Sequence, residues 1–136
     1  AGLTRTVLTV LADAYDEETV AEGDTRVVLR LHPSLAPIKV GVFPLVKKDG
    51  LDEIARKIER ELREDYSTFY DQGGAIGRRY RRQDEIGTPF CVTVDYQTKE
   101  DDTVTLRFRD SMEQIRLPIS SLAPRLGEEI KRYRRL

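Results

Sequence analysis

Residues 76–90 have the sequence Ile76-Gly-Arg-Arg-Tyr-Arg-Arg-Gln-Asp-Glu-Ile-Gly-Thr-Pro-Phe90. Residues four apart are neighbours on a helix, so Ile76 and Tyr80 share one face of this run while its arginines extend onto others. A Gly73-Gly74 turn precedes the run and Gly87 stops it, as glycines commonly do at helix ends. The run therefore predicts an arginine-rich helix bounded by glycines.

Hydrophobic periodicity on either side of this helix predicts the remaining elements. Helices are expected over 3–18, 51–65, 76–86 and from 119 or 121 to 136, and extended segments over 27–31, 38–43, 68–70, 88–94, 103–109 and 113–117. The first helix is expected to lead into an acidic link that contains Gly23, and a polar turn is expected over 97–102. Strands separated by helices pair in parallel, and strands joined by short turns pair antiparallel. We therefore predict an α/β fold in which a mixed five-stranded sheet is flanked by three helices, with an additional helix at the N-terminus.

Composition limits the class of protein. The chain has 136 residues, of which 35% are charged and 39% hydrophobic, so it is expected to fold as one soluble domain. Uncharged stretches such as 40–46 reach at most nine residues, which is too short for a membrane span. The single cysteine, Cys91, excludes an internal disulfide and agrees with a cytoplasmic location; it is expected to be a buried, inert thiol. Because the chain starts at Ala1, we expect a piece of a longer protein.

The net charge of −1 conceals an asymmetry. Residues 1–25 contain six acids and one arginine, a balance of −5, whereas residues 26–136 contain 22 basic and 18 acidic residues, a balance of +4. A modest positive balance gathered into patches suits a domain that makes several phosphate contacts, while a general nucleic-acid binder is usually more basic. We therefore expect an RNA partner, with neither DNA nor a membrane as a partner.

Catalytic and cofactor motifs are missing from the sequence. His32 is the only histidine, so neither a Cys/His zinc site nor a Ser-His-Asp triad can be assembled, and a structural role is expected for it. The glycines at 73, 74 and 77 lack the Lys-Ser/Thr pair of a phosphate-binding loop. We therefore expect no catalysis, no cofactor and no metal in this chain by itself.

The arginine-rich helix carries the side chains that read nucleic acid. Guanidinium groups pair with phosphates and stack on bases, Tyr80 can stack, and Asp84 or Glu85 can accept a hydrogen bond from a cytosine amino group. The alternative is a solvated helix in which Arg81 pairs with Glu85. Four arginines in five residues repel one another, which favours an anionic partner.

A second basic row is predicted on the strand over 103–109. Arg107 and Arg109 point to one face of that strand, and Arg116 on the next strand joins them. Arginines on an exposed sheet edge also discourage aggregation, and that alternative stays open.

Several runs resemble the anticodon-binding domain of glycyl-tRNA synthetase, a class II aminoacyl-tRNA synthetase. They are the run over 76–90, of which Gly-Arg-Arg-Tyr-Arg-Arg-Gln-Asp-Glu-Ile-Gly is the most discriminating part, and those over 35–45, 92–96 and 103–116. The resemblance implies the class IIa anticodon-binding domain fold over 26–136. The opening Ala1-Gly-Leu-Thr-Arg5 and its helix are similar to the family's third class II motif, which implies that 1–25 is the end of a catalytic domain and that Arg5 matches an ATP-binding arginine.

The resemblance also implies a function. The parent enzyme would be a cytoplasmic, homodimeric glycine-tRNA ligase that uses ATP and Mg²⁺, and this chain would recognise the anticodon loop of tRNA(Gly). Candidate tRNA contacts are Arg78, Arg79, Tyr80, Arg82, Asp84, Glu85, Arg107, Arg109 and Arg116. Two other functions remain open: a synthetase-like accessory subunit, and a protein-interaction module with a basic face.

Overall fold

The computed structural model describes residues 2–20 and 25–133. Its elements, in chain order, are α1 (Gly2–Ala14), β1 (Tyr15–Thr19), β2 (Thr25–Leu29), β3 (Val40–Pro44), α2 (Leu51–Leu62), β4 (Thr68–Tyr70), α3 (Ile76–Ile86), β5 (Phe90–Val94), α4 (Tyr96–Asp101), β6 (Thr103–Phe108), β7 (Gln114–Pro118) and α5 (Leu122–Arg132). No helix in the described ranges is both long and apolar enough to cross a lipid bilayer.

The main sheet has five strands in the order β4-β3-β5-β6-β7. Strands β4, β3 and β5, which are separated in the chain by α2 and α3, run parallel, whereas β6 and β7 are antiparallel to their neighbours. All residues of β3 and β5 are buried, as expected for strands covered on both faces. The predicted mixed five-stranded α/β sheet is confirmed.

The helices divide between the two faces of the sheet. The larger core lies under α2 and α5, where Leu51, Ile58, Leu122 and Leu126 pack against alternate residues of the central strands. The residues between those positions face α3, and Phe43, Tyr80 and Cys91 form a smaller cluster there. Because side chains alternate along a strand, every strand residue of the smaller cluster shares its face with Arg107 of β6. The arginine-rich helix α3 therefore packs on one face of the sheet, and α2 and α5 pack on the other.

The N-terminal region differs from the prediction of a single helix over 3–18. Helix α1 ends at Ala14, and β1 pairs antiparallel with β2 to form a separate two-stranded sheet, here called the hairpin. Asp16 and Glu18 alternate along β1 and pair with arginines of β2, which favours a strand over a helix. The expected acidic link lies partly in 21–24, outside the described residues. The division at residue 25 stays a prediction, although the hairpin pairs strands from both sides of it.

Two smaller differences concern helix ends. The polar segment 97–102, expected as a turn, contains the short helix α4, because the side chain of Asp95 accepts a hydrogen bond from the backbone N–H of Thr98 and so caps it. The last helix ends at Arg132 in the structure, and 134–136 of its predicted range lie outside the described residues.

Candidate nucleic-acid interface

Helix α3 starts beside the carboxyl ends of β3 and β4, and Arg79 ties it there. The Arg79 guanidinium donates to the carbonyls of Pro44 (2.7 Å), Asp71 (3.0 Å) and Leu45 (3.1 Å). Its residue exposure is 1%, and burial lowers the pKa of the guanidinium from its ordinary value. These carbonyls lie at the ends of two strands, where the hydrogen bonds of the sheet stop. The arginine therefore satisfies backbone acceptors that the strands leave unpaired. The geometry therefore argues against Arg79 as a tRNA contact, contrary to the expectation from sequence.

The side chain of Tyr80 packs between α3 and the sheet, so it does not offer a surface on which a base could stack. Its hydroxyl shares a hydrogen bond of 2.6 Å with Thr93 Oγ1, and its ring lies 4.7 Å from the Arg107 guanidinium. Burial raises the pKa of the Tyr80 hydroxyl. Other protein groups already contact the Tyr80 ring, which corrects the expectation that a flipped-out base stacks on it.

Asp84 is the most deeply buried of the predicted contacts. Its carboxylate accepts two hydrogen bonds from Arg107, at 2.9 and 3.0 Å, and one of 3.0 Å from Arg26 of β2. The side chain is 0% exposed, so no base can reach it in this arrangement. Asp84 is a structural partner of two arginines, and the expectation that it accepts from cytosine is not supported.

The basic row expected on an exposed strand is wrong for Arg107 and Arg109. Strand β6 lies inside the sheet between β5 and β7, and both guanidiniums are buried. Arg109 donates to the carbonyls of Gly87 (2.9 Å) and Leu31 (2.8 Å). Burial lowers the pKa of Arg107, but the hydrogen bonds to Asp84 outweigh it, so the pKa is raised overall. Arg116 is half-buried and is paired with Asp95.

The exposed face of α3 keeps the remaining candidates together. Arg78, Arg82 and Glu85 line a shallow depression of about 500 Å³ with Gly73 and Gly74. Arg81 also lines it, but its guanidinium is 3.7 Å from Asp84 and does not pair with Glu85 as the alternative interpretation expects.

Three of these side chains make few contacts within the described part of the protein. Arg82 makes only long contacts, 3.4 Å to the Gly73 carbonyl and 3.6 Å to Asp71. Within 2–20 and 25–133, no side-chain hydrogen bond or ion pair is made by Arg78 or Glu85. A guanidinium without an internal partner can bind an external anion without first losing a contact.

The sequence interpretation misses residues at the same edge of the sheet. Tyr96, which follows β5, is 45% exposed, and its hydroxyl donates to Asp49 Oδ2 at 2.7 Å. Lys99 Nζ donates to the Asp49 carbonyl at 2.7 Å, which holds the exposed loop containing Lys47 and Lys48. In open α/β sheets, ligands bind outside the carboxyl ends of parallel strands where helices change faces, and α2 and α3 do so here. The position of Tyr96 directly after β5 could have identified it as a residue of this edge. The prediction of a simple turn at 97–102 gave no reason to consider it.

The other singled-out residues lie away from this edge. Burial raises the pKa of the Cys91 thiol to about 12, in agreement with an inert buried cysteine. His32 Nδ1 accepts from the Ser34 backbone N–H at 3.1 Å and its ring contacts Tyr133, a structural role as expected. Arg5 is exposed on α1, and its match to an ATP-binding arginine stays a prediction. In the part of the chain that the structure describes, no group of three His, Cys, Asp or Glu side chains could hold a metal ion.

Solved structures share this fold. Prolyl-tRNA synthetase from Cryptosporidium parvum, in complexes with L-proline and AMP and with halofuginone and AMPPNP, superposes with a TM-score of 0.69 at 24% identity, over 76% of this chain and 22% of that one. At this identity the likeness establishes the fold alone, which is that of one part of a tRNA synthetase.

Sequence comparison specifies the class further. The model of the family described as "Anticodon binding domain" matches residues 39–129, and the chain belongs to that family. Curated relatives named glycine–tRNA ligase are 64% identical in Treponema denticola, over 99% of this chain and 31% of the relative, and 60% identical in Borreliella burgdorferi, over 98% and 30%. The chain thus spans about a third of the length of these relatives. The resemblance read from the motifs is confirmed.

Proposed function

We propose that this chain is the anticodon-recognition domain of a glycine–tRNA ligase and binds tRNA(Gly) for aminoacylation by the rest of that enzyme. Its family and the names of its relatives support this function. The observation that carries the proposed site is that Arg78 and Arg82 are exposed beside the depression at the start of α3, while Arg79 is buried and Arg81 lies 3.7 Å from Asp84.

The exposed groups have complementary chemistry for an anticodon. Glycine codons require cytosine at the last two anticodon positions. Arg78 and Arg82 can contact phosphates or donate to base acceptors, Glu85 can accept from a cytosine amino group, and Tyr96 offers a partly exposed ring for stacking. Exposed Lys47 and Lys48 add positive charge at the same edge.

The wider expectations belong to the parent enzyme. It would work as a cytoplasmic homodimer and use ATP and Mg²⁺ to activate glycine, with Arg5 contributing to the ATP site. Arg5 is one exposed side chain, and the described residues offer no metal-binding cluster. We therefore assign no catalytic step to this chain and propose that the ATP site belongs to the parent enzyme.

Substitution of the open arginines tests the proposed site. Arg78→Ala and Arg82→Ala should each weaken binding of a tRNA(Gly) anticodon stem-loop, by about 1–3 kcal/mol where the contact is to a base. Arg132→Ala is the matched control, because its side chain is 62% exposed against 58% for Arg82 and it lies on α5, across the sheet. Equal binding by all three variants and the unsubstituted chain would show that this face of α3 does not contact RNA.

Glu85→Gln tests specificity. If the carboxylate accepts from cytosine, the substitution should narrow the preference for a cytosine-containing anticodon over one with uracil. The measurement is the ratio of dissociation constants for the two stem-loops. A protein-interaction module with a basic face would bind both stem-loops alike before and after the substitution, and that result would favour the alternative function.

A further inference from the structure

A buried ionic cluster connects three separate parts of the chain. Asp84 of α3 lies between Arg107 of β6 and Arg26 of β2, with all three side chains at most 3% exposed. One carboxylate therefore joins the arginine-rich helix to the main sheet and to the hairpin. A carboxylate without these donors would be an unpaired buried charge, which is strongly unfavourable.

Arg26 uses its whole guanidinium group in this connection. Its Nη1 donates to Asp84 Oδ2 at 3.0 Å and to the Arg109 carbonyl at 2.7 Å, while Nη2 donates to the Asp110 carbonyl at 3.0 Å. Its Nε donates to Glu18 of β1. The planar fork of an arginine can satisfy these partners simultaneously, whereas the point charge of a lysine cannot.

Arg30, directly after β2, provides an internal comparison. It lies four residues after Arg26 and is also buried, but its partners are Asp16, Glu18 and Asp110. In the described ranges it makes no hydrogen bond or ion pair to α3. Arg30 thus fastens the hairpin to the turn after β6, and Arg26 additionally fastens it to the helix.

The position of Asp84 on α3 gives this connection leverage over the exposed face. At about 100° per residue, Asp84 projects about 160° away from Arg82 and about 100° away from Glu85, so a rotation of the helix about its axis moves the buried and the exposed side chains together. The two hydrogen bonds from Arg107 and the one from Arg26 connect the carboxylate to two different strands, β6 and β2. They restrict both the rotation and the sliding of α3.

We propose that Arg26, acting through Asp84, is a positioning residue that sets the placement of the exposed arginines of α3, so that their placement depends on the seating of the hairpin. The inference rests on the proposed function for its consequence in tRNA binding. The juxtaposition of Arg26, Asp84 and Arg107 carries it. Arg26 itself is buried and contacts no RNA in this account.

Amide NMR spectra of residues 1–136 test the positioning directly. Arg26→Lys retains the charge but loses the fork, and should shift the amide signals of 78–85 while the protein stays folded. Arg30→Lys, the matched control, should shift mainly signals of the hairpin and of the turn at Asp110. Signals of 78–85 that move no more in Arg26→Lys than in Arg30→Lys would overturn the inference.

Binding of the anticodon stem-loop tests the consequence. Arg26→Lys should weaken binding by about 2- to 30-fold, the range of measured couplings through packed networks, and Arg30→Lys should weaken it less. In a double-mutant cycle, the loss from Arg26→Lys should be smaller when Arg78 is already alanine, because the displaced contact is then absent. Additive losses, or binding by Arg26→Lys equal to that of the unsubstituted chain, would contradict the inference.

The two proposals fail separately. If Arg78→Ala and Arg82→Ala leave binding unchanged, the proposed RNA surface is wrong, and the NMR comparison still decides whether Arg26 positions α3. If those substitutions weaken binding but Arg26→Lys does not, the RNA surface stands and the positioning role is wrong.

Discussion

The two faces of α3 have almost the same composition and opposite roles. The buried face carries Arg79 and Asp84, and the exposed face carries Arg82 and Glu85. On the buried face each charge meets three or more internal hydrogen bonds or a carboxylate partner, whereas on the exposed face the contacts are long or lacking among the described residues. Charge content alone therefore does not distinguish the two faces; the number of internal partners among the described residues does.

Arginine suits both roles for the same physical reason. Its five N–H donors lie in one plane and are weakly hydrated, so they can satisfy several carbonyls inside a protein or several acceptors on RNA. Arg79 and Arg109 donate mainly to backbone carbonyls. Arg26 and Arg107 donate to the carboxylate of Asp84. The predictions below separate these uses.

The largest effect is expected at the buried carboxylate. Asp84→Ala should lower the free energy of unfolding by about 3–5 kcal/mol, because it leaves Arg107 buried without its carboxylate partner and removes one of the two carboxylates that pair with buried Arg26. Glu85→Ala, one residue away on the exposed face, should change it by less than about 0.5 kcal/mol. Urea unfolding measures both. Similar losses in the two variants would remove the distinction between the faces.

Loss of the Arg79 guanidinium, which caps carbonyls at the ends of two strands, should have the next largest effect on the free energy of unfolding. Arg79→Met keeps the length of the side chain but leaves the carbonyls of Pro44, Leu45 and Asp71 without this donor, and should destabilise by about 2–4 kcal/mol. Arg82→Met is the control on the exposed face, with an expected change within about 0.5 kcal/mol. Equal urea midpoints for Arg79→Met and the unsubstituted chain would contradict the capping role.

Salt dependence should distinguish the kinds of contact on the exposed face. An arginine that neutralises one phosphate contributes about 0.7 to the slope of log K against log salt for single-stranded nucleic acid. Arg78→Ala or Arg82→Ala should lower the slope by that amount if it contacts phosphate, whereas Glu85→Gln should leave it nearly unchanged. Binding measured across a salt series gives the slopes, and an unaltered slope in both arginine variants would exclude phosphate contacts there.

The smallest expected effect concerns the reactivity of the Cys91 thiol, which packs with Tyr80 between the buried face of α3 and the sheet. With its pKa raised to about 12, the thiol stays protonated at pH 9 in the folded protein and should react with iodoacetamide only when the structure opens. The folded pKa lies above the ordinary value of 9.0, so this thiol's contribution to stability is complete below that value and is lost as pH rises towards 12.

Two variants calibrate that measurement. Asp84→Asn should accelerate alkylation of Cys91, because it weakens the attachment of α3 to the sheet, and Arg82→Met should leave the rate unchanged. Rapid alkylation of the unsubstituted protein at pH 9 would contradict the buried placement of the thiol.

Helical periodicity correctly predicted the bounds of α3, but it could not predict which face packs on the sheet or which charges have partners. The bounds 76–86 and the separation of Tyr80 from the open arginines follow from spacing within the helix itself. The burial of Asp84 depends on Arg107, 23 residues away, and on Arg26, 58 residues away, and local spacing contains no signal for either. The predicted exposed row on β6 failed for the same reason, since its burial depends on α3 covering that face.

The hairpin shows a related limit at the N-terminus. The apolar stripe of α1 merges into an acidic segment, and helical periodicity alone extended the helix to 18. The alternation of Asp16 and Glu18 becomes meaningful only when Arg26, opposite Glu18 on β2, and Arg30, directly after β2, pair with them. Pairing between strands, rather than propensity within one, decided this element.

The central claim is that α3 binds the anticodon with one face and holds the fold together with the other. The most direct test is the double variant Arg78→Ala/Arg82→Ala, measured for its affinity for a cytosine-containing anticodon stem-loop and for its urea midpoint. The account predicts a marked loss of affinity with an unchanged midpoint. Unchanged affinity, or a midpoint lowered as far as in Arg79→Met, would contradict it.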